Sequence, residues 1–296
     1  MFKLKAKTQR VVLPILADLH SGSKKSLLKS GQWQLADGYW VTTKLQQKLW
    51  AQFTECIAVV ARKRKGKKLV VVNNGDAIEN VHHHSTEVIT ADVHEHERMH
   101  IETVDCFLRG TGFDANAGDE LYYVGGTPVH DGEGYTNAER VAADFAAVPY
   151  QESIRGSKRD AVRVWPMLRL NINGTLIEIA HQGPGVGTRT HTKGNTIRSM
   201  VKSTYYERLA AGTPMPDVFV WSHRHEYHRE VVSIGNRDFL AFTTPAFKAP
   251  DRFFYKVMAN RCTHVGLLIL EIDEQGAVSY ECPLLQGVGQ VPIVKI

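Results

Sequence analysis

Apolar residues run without interruption over 11–17 and stop at Asp18-Leu19-His20. A short unbroken run of this kind predicts a strand buried on both faces. Over 45–61 the apolar positions Leu45, Leu49, Phe53, Ile57 and Val60 recur at helical spacing, and 69–72 is a second apolar strand ending at Asn73-Asn74-Gly75-Asp76. Strand, helix and strand in that order imply a parallel pair joined by a right-handed crossover. Ser85 stands where it can cap a helix running to about Leu108, a third strand over 121–124 leads into Gly125-Gly126-Thr127, and 133–147 reads as another helix.

The rhythm then changes. Segments 161–172 and 175–180 flank Asn173-Gly174, a hairpin turn signal. A helix over about 196–211, a strand over 217–221, a hairpin turning at Gly235-Asn236 and two last strands near 265–272 and 277–282 complete the order. The expected fold class is α/β: two packed mixed β-sheets, a β-sandwich, flanked by helices. Nothing forces a domain boundary, so 1–296 is expected as one domain. It carries a helical insertion at about 82–118, and its C-terminal strands at about 229–296 complete the second sheet.

Composition changes this picture little. The 296 residues are 43% hydrophobic and 23% charged, as in ordinary globular chains. Thirty-six Lys and Arg against 31 Asp and Glu leave a formal charge of +5, which suits a polyanionic partner. The densest basic run, 62–68, falls between a helix and a strand and is expected as a solvated helix end, with a phosphate-backbone contact as the alternative. Cysteines 56, 106, 262 and 282 have no Cys-x-x-Cys spacing, so they are expected reduced, in a cytoplasmic protein. The first apolar run ends without a small-residue cleavage site, and no apolar stretch nears the roughly 20 residues of a membrane span, so no membrane partner is expected.

The 14 histidines matter more. Asp18 and His20 follow the first strand, Asp76 the second, His181 the hairpin's second arm, and His223 and His225 the strand that ends at Trp221. Ligand sites in open sheets gather at the carboxyl ends of strands, so residues two hundred positions apart can meet there. Any one of these signals is weak; together they are strong. Alternation along an extended loop is expected to point Asp18 with His20, and His223 with His225, the same way. Carboxylate and imidazole without thiolate suit a catalytic site for Mn, Fe or Zn, with Mn the first expectation, rather than the all-oxygen shell of Ca or Mg.

These residues resemble the five sequence blocks of the calcineurin-like metallophosphoesterases. The likeness covers Asp18-Leu-His20, Gly75-Asp76, a glycine-rich third block with Gly126-Thr127 and His130, an isolated His181, and Ser222-His223-Arg224-His225. The resemblance implies two divalent transition metals, with Asp18, His20 and His225 on one, His181 and His223 on the other, and Asp76 bridging. The third block departs from the family's usual Gly-Asn-His and acid. Thr127 stands where an amide ligand is usual, and His130 is left as the candidate acid for the leaving group. The layout is similar to that of phage- and prophage-encoded members and of DNA-repair exonucleases.

Other patterns compete. His96-Glu97-Arg98-Met99-His100 matches the H-E-x-x-H of zinc peptidases, but the apolar positions Val93, Ile101, Val104 and Leu108 are expected to hold the core and leave the His and Glu residues mostly solvated. His82, His83, Arg189 and Arg224 are candidate substrate contacts. Gly183, Gly185 and Gly187 either approach phosphate or form a plain turn, and Phe253-Phe254-Tyr255 either stacks bases or packs in the core. The expected activity is hydrolysis of a phosphodiester, in DNA, by a metal-dependent nuclease whose Asp76 and His130 carry the catalysis. A nucleotide, cyclic-nucleotide or protein phosphatase on the same site is the alternative, and a weakly catalytic binding scaffold is the alternative of another class. A homodimer is left open.

Overall fold

The computed structural model describes residues 8–82, 85–150, 161–187, 189–258 and 263–285. The first apolar run forms β1 (Val11–Leu16), buried at every position. A hairpin of β2 (Gln32–Leu35) and β3 (Gly38–Val41) follows, which the apolar pattern did not predict: each strand has four residues, and only Trp33 and Leu35 are buried. Helix α1 (Lys44–Lys63) opens on a capping box, in which the Thr43 hydroxyl accepts the Gln46 N–H and the Gln46 side chain accepts the Thr43 N–H. Then come β4 (Lys68–Asn74), α2 (Val93–Thr111), β5 (Glu120–Val124), α3 (Pro128–Asp131), α4 (Thr136–Asp144), β6 (Val164–Trp165), β7 (Leu168–Ile172) and β8 (Thr175–Ala180). The chain continues through α5 (Asn195–Ala211), β9 (Val218–Trp221), β10 (His228–Ile234), β11 (Arg237–Thr243), α6 (Arg252–Met258), β12 (Val265–Gly266), β13 (Leu268–Ile272), β14 (Val278–Glu281) and β15 (Leu284–Leu285).

Two mixed sheets face each other. One has the order β14-β13-β1-β4-β5-β6, and the other β10-β11-β9-β8-β7. Strand β1 shows how one sequence serves two layers, because its side chains alternate. Val11, Leu13 and Ile15 pack with Ile177, Val220 and Phe242 of the second sheet, while Val12 and Leu16 pack with Leu49, Phe53 and Phe107 of α1 and α2. Helix α5 covers the outer face of the second sheet through Ile197 and Val201 against Phe219 and Phe239. The fold is therefore a two-sheet sandwich with helices on both outer faces, as expected.

Four local expectations are corrected. Ser85 does not cap α2; Asp92 does, accepting the His94 N–H at 2.9 Å. Residues 87–89 instead lie against 22–24, where Lys24 N–H donates to Glu87 O and Ile89 N–H to Gly22 O, which keeps them out of a helix. The helix expected over 133–147 is a 3-10 turn followed by α4, because Gly132, Gly134 and Tyr135 all take positive φ. The long strand expected over 161–172 is broken at Pro166 and Met167, so β6 pairs with β5 in one sheet and β7 with β8 in the other. Proline lacks the N–H a ladder needs, and the chain changes sheets there. Finally, the strands past 229 do not all complete the second sheet: β10 and β11 do, but β13 and β14 extend the first. The apolar run of β13 is buried on both faces only beside β1.

Candidate metal centre

Each expected ligand lies just past a strand end, and most are reached by a left-handed backbone turn. Among the described residues, nine that are not glycine have positive φ, and five of them are Asp18, His20, Asp76, His223 and His225. That conformation costs about 1–3 kcal/mol at a non-glycine residue and persists only where surroundings hold it. The expected extended alternation is thus corrected: Asp18 with His20, and His223 with His225, converge through paired left-handed turns. Backbone bonds fix the first pair, with Asp18 N–H donating to Gly75 O and His20 N–H to Asp76 O. Across the sandwich, His223 N–H donates to Asp18 Oδ2 at 3.2 Å.

The ligand atoms fall into two triads. In one, His225 Nε2 lies 3.2 Å from Asp18 Oδ1 and 3.2 Å from His20 Nε2. In the other, Asp76 Oδ2 lies 3.2 Å from His181 Nε2 and 3.9 Å from His223 Nδ1. Asp76 Oδ2 is also 3.8 Å from His20 Nε2, so this carboxylate faces both triads. Within each triad the ligand atoms lie within 4.8 Å of one another.

Their electrostatics fit cations. Asp18 Oδ1 and His181 Nε2 are buried without a hydrogen-bond partner, a costly arrangement unless something else satisfies them. His181 Nδ1 donates to Asn74 O at 2.8 Å, which turns its Nε2 toward Asp76. Burial opposes a charged His181, yet the Asp76 carboxylate beside it outweighs burial and raises its pKa to about 10. The buried acids therefore call for positive charge at the place where a shared cation fits. Burial, with Lys248 and His130, lowers His20 to about 3, so its ring is neutral, and its Nδ1 lies 2.9 Å from Glu79 Oε2. A carboxylate behind a ligand histidine fixes its tautomer and ring orientation.

Several supporting residues were given no role by the sequence. Glu79 is one, and buried Lys248 is its counter-ion, with Nζ at 2.9 and 3.0 Å from the two Glu79 oxygens and 2.8 Å from Asp251 Oδ2. Asp131 is buried and accepts N–H bonds from Asp76, Ala77 and Gly126, while burial and the Asp76 charge push its carboxyl up to about 7. Asn74 donates to the Ser222 hydroxyl at 2.5 Å, and Thr244 donates to the same oxygen, which ties three strand ends together. Two glycines make room. A Cβ on Gly75 would meet the His181 ring at 2.3 Å, and one on Gly126 would meet Asp76 N at 2.2 Å.

The remaining candidates divide. Thr127 turns both its N–H and its hydroxyl onto Asp76 Oδ1, at 2.7 and 2.9 Å. His130 Nδ1 lies 2.6 Å from Glu79 O, and its ring meets those of His20 and His82 edge-on. Burial lowers the His130 pKa. His82 and Arg224 line a cavity of about 340 Å³ that opens on His20, Asp76, His223 and His225. Arg189 is exposed and does not line it, and His83 lies outside the described residues. Gly183 packs against the Trp221 ring.

The H-E-x-x-H expectation is corrected in its details. His96 and His100 are fully buried rather than solvated, and Glu97 is nearly so. His96 Nε2 meets Thr90 O, His100 Nδ1 meets Ala77 O, and Glu97 pairs with His94 and Arg140. Neither histidine joins a metal-sized group among the described residues.

No protein-family model and no curated protein matches the chain. Solved structures do resemble it at low identity. One is a conserved uncharacterized protein from Streptococcus pneumoniae, described as a predicted phosphoesterase, at 10% identity and TM-score 0.33, covering 94% of this chain and 95% of that one. Vps29 from Entamoeba histolytica, complexed with zinc, is similar at 10% identity and TM-score 0.37, covering 92% and 98%. The sulfate thiohydrolase SoxB from Thermus thermophilus, in complex with glycerol, is similar at 12% identity and TM-score 0.43, covering 96% of this chain and 58% of that one. Likeness this distant carries no weight for the chemistry, which rests on the chain's own side chains.

Proposed function

We propose that this chain is a metal-dependent phosphoesterase. The observation that carries the proposal is the pair of ligand triads, Asp18–His20–His225 and Asp76–His181–His223, with Asp76 Oδ2 also 3.8 Å from His20 Nε2 and with Asp18 Oδ1 and His181 Nε2 buried without a hydrogen-bond partner. Asp18, His20 and His225 would hold one cation, His181 and His223 the second, and Asp76 both. Two such cations supply Lewis-acid charge that polarises phosphoryl oxygens and acidifies a water. Thr127 orients the shared carboxylate through its two bonds to Oδ1. His130 is assigned to the leaving oxygen because it lines the same cavity. It is neutral at rest, its Nδ1–H on Glu79 O, so Nε2 would take a proton from solvent before giving it to the leaving oxygen, while the attacking water's proton goes to solvent on the opposite side.

The finer proposal is a phosphodiester, with DNA as the polymer to test. The charge of +5 and Arg224 at the cavity support it. Lys193 and Arg198 support it less, since they pair with Glu226 and Glu230. The test is a panel with added manganese: a chromogenic diester, a chromogenic monoester, and single- and double-stranded DNA. Turnover of the monoester alone removes the nuclease proposal. Less than one equivalent of metal, with no stimulated hydrolysis of any ester, replaces the enzyme by a binding scaffold.

A further inference from the structure

Among the described residues, two Lys or Arg side chains line the cavity, and they are used differently. Lys248 is committed within the protein: it closes a buried chain of charges, with Nζ 2.9 Å from Glu79 Oε2 and 2.8 Å from Asp251 Oδ2. Arg224 is not. Its Nε is buried without a hydrogen bond, and no acid among the described residues pairs with its guanidinium. Cations on the neighbouring elements are neutralised, Lys193 by Glu226 at 2.7 Å and Arg198 by Glu230 at 2.6 Å. A buried N–H without an acceptor costs free energy, so one on a side chain that lines a cavity marks the place for an acceptor from outside.

The root of this side chain is held firmly. Arg224 stands between two ligands, His223 and His225, whose φ values of 69° and 52° fix the chain on either side. Its own N–H donates to Ser222 O at 2.8 Å, and the Ser222 hydroxyl accepts from Asn74 and Thr244. The bonds that tie three strand ends together therefore place Arg224 as well, which lowers the ordering cost of binding. Charge points the same way. Asp18 and Asp76 are the carboxylates of the two triads, and two divalent cations held by them would leave a positive excess to which Arg224 adds. An anion seated among these charges offsets their repulsion.

We infer that Arg224 is an oxyanion clamp: its Nε–H and the adjacent Nη–H hold a non-bridging oxygen of the phosphoryl group that meets the metal edge. The inference rests on the phosphoesterase proposal for the identity of the anion. Guanidinium suits the task because its planar fork meets phosphate at two points, where an ammonium offers only a point charge.

The experiment uses methylphosphonate, a non-hydrolysable phosphoryl probe, titrated calorimetrically into the full chain with manganese present. Arg224→Ala should weaken its binding about 10–100-fold, the scale of a hydrogen bond to a charged group. Arg224→Lys should stay at least about threefold weaker than the unaltered protein, since it returns the charge without the fork. Lys202→Ala, which removes an exposed cation on α5, should leave the affinity within about twofold, because a screened surface charge acts weakly. Manganese titrated without the probe reports on folding and on the ligands, and Arg224→Ala should bind it no more weakly than the unaltered protein. No binding of the probe to the unaltered protein, unchanged affinity in Arg224→Ala, full recovery in Arg224→Lys, an equal loss in Lys202→Ala, or a loss of manganese along with the probe overturns the clamp. Hydrolysis of a chromogenic diester is followed in parallel. Probe binding that depends on Arg224 without hydrolysis defeats the phosphoesterase proposal and leaves the oxyanion site standing; hydrolysis by a protein whose probe affinity ignores Arg224 does the reverse.

Discussion

Two groups of histidines, joined through Asp76 and Ala77, do opposite work. At the strand ends, His20, His181, His223 and His225 turn ring nitrogens toward Asp18 and Asp76 from strained or tightly fixed backbone. On α2, His96 and His100 lie on an ordinary helix and give ring nitrogens to the carbonyls of Thr90 and Ala77. The second group carries the better-known motif, and the first carries the chemistry proposed above. What separates them is whether nitrogens converge on a shared carboxylate, not how the residues are spaced. The α2 histidines are still connected to the site, because Ala77 follows Asp76 and its carbonyl is held by His100.

The largest expected effect comes from breaking the shared carboxylate. Asp76→Asn should lower manganese-stimulated diester hydrolysis by about 10²–10³-fold, the scale of removing one electrostatic group that acts on the transition state. Metal analysis should show fewer than two ions per chain. If Asp76→Asn kept both ions and full rate, the two triads would not be one site.

Next comes the support behind His20. Burial alone would raise the Glu79 carboxyl, but Lys248 outweighs it and holds Glu79 well below the ordinary range. Lys248→Met would leave Glu79 buried without its counter-ion, at a cost of about 3–5 kcal/mol. Urea unfolding measures this, and metal affinity should fall about 10–100-fold with it, as for other partners of ligand residues. A stable Lys248→Met protein with unchanged metal affinity would mean that the buried chain of charges is decoration.

His100→Asn sharpens the comparison itself. It removes a ring that bonds Ala77 O, Asn73 and Tyr123, so stability should fall by about 1–3 kcal/mol. Metal content should stay the same, where loss of an ion would restore the peptidase motif as a ligand set. The two groups also predict opposite pH limbs. Burial lowers His100 from 6.5 to about 4, so the folded state refuses a proton that the unfolded chain binds, and stability rises as pH climbs through that window. In metal-free protein His181 is raised from 6.5 to about 10, so its contribution is complete below 6.5 and is lost as pH rises toward 10. Urea midpoints against pH should show both limbs. Asn at 100 should flatten the acid limb, and manganese should flatten the alkaline one.

The sequence made the ligand edge legible because strand-end residues carry a local signature, an apolar run followed at once by Asp, His or both. Glu79 and Lys248 had no such signature: their partnership spans 169 residues and exists only once both are laid against the segment that follows β1, Glu79 beside Ser21 and Lys248 beside Ser26. Asp131 was visible as an acid after His130, but its three N–H bonds depend on where the glycines place the backbone. The left-handed turns were also hidden, since Asp and His are only mildly favoured there and tertiary bonds decide the matter. The misplaced start of α2 has the same cause. Ser85 and Asp92 are both good caps locally, and pairing of 87–89 with 22–24 selects the second.

The smallest effect concerns the cations. Arg62 through Lys68 is the densest basic run in the chain, yet Lys63 and Lys67 both pair with Glu271, Lys68 pairs with Glu120 and Arg64 with Asp119. These acids lie at the strand ends of the first sheet, near β13 and the start of β5, away from the ligand edge. Arg224, by contrast, lines the cavity itself. Partly exposed pairs contribute about 0–1 kcal/mol each, so joint Lys63→Ala and Lys67→Ala should lower stability by no more than about 1–2 kcal/mol. If DNA binds, its affinity should fall with salt at a slope that loses about one unit on Arg224→Ala and is unchanged by the paired lysine substitutions. A slope that loses about two units with the lysines would move the polyanion from the metal edge to the basic run.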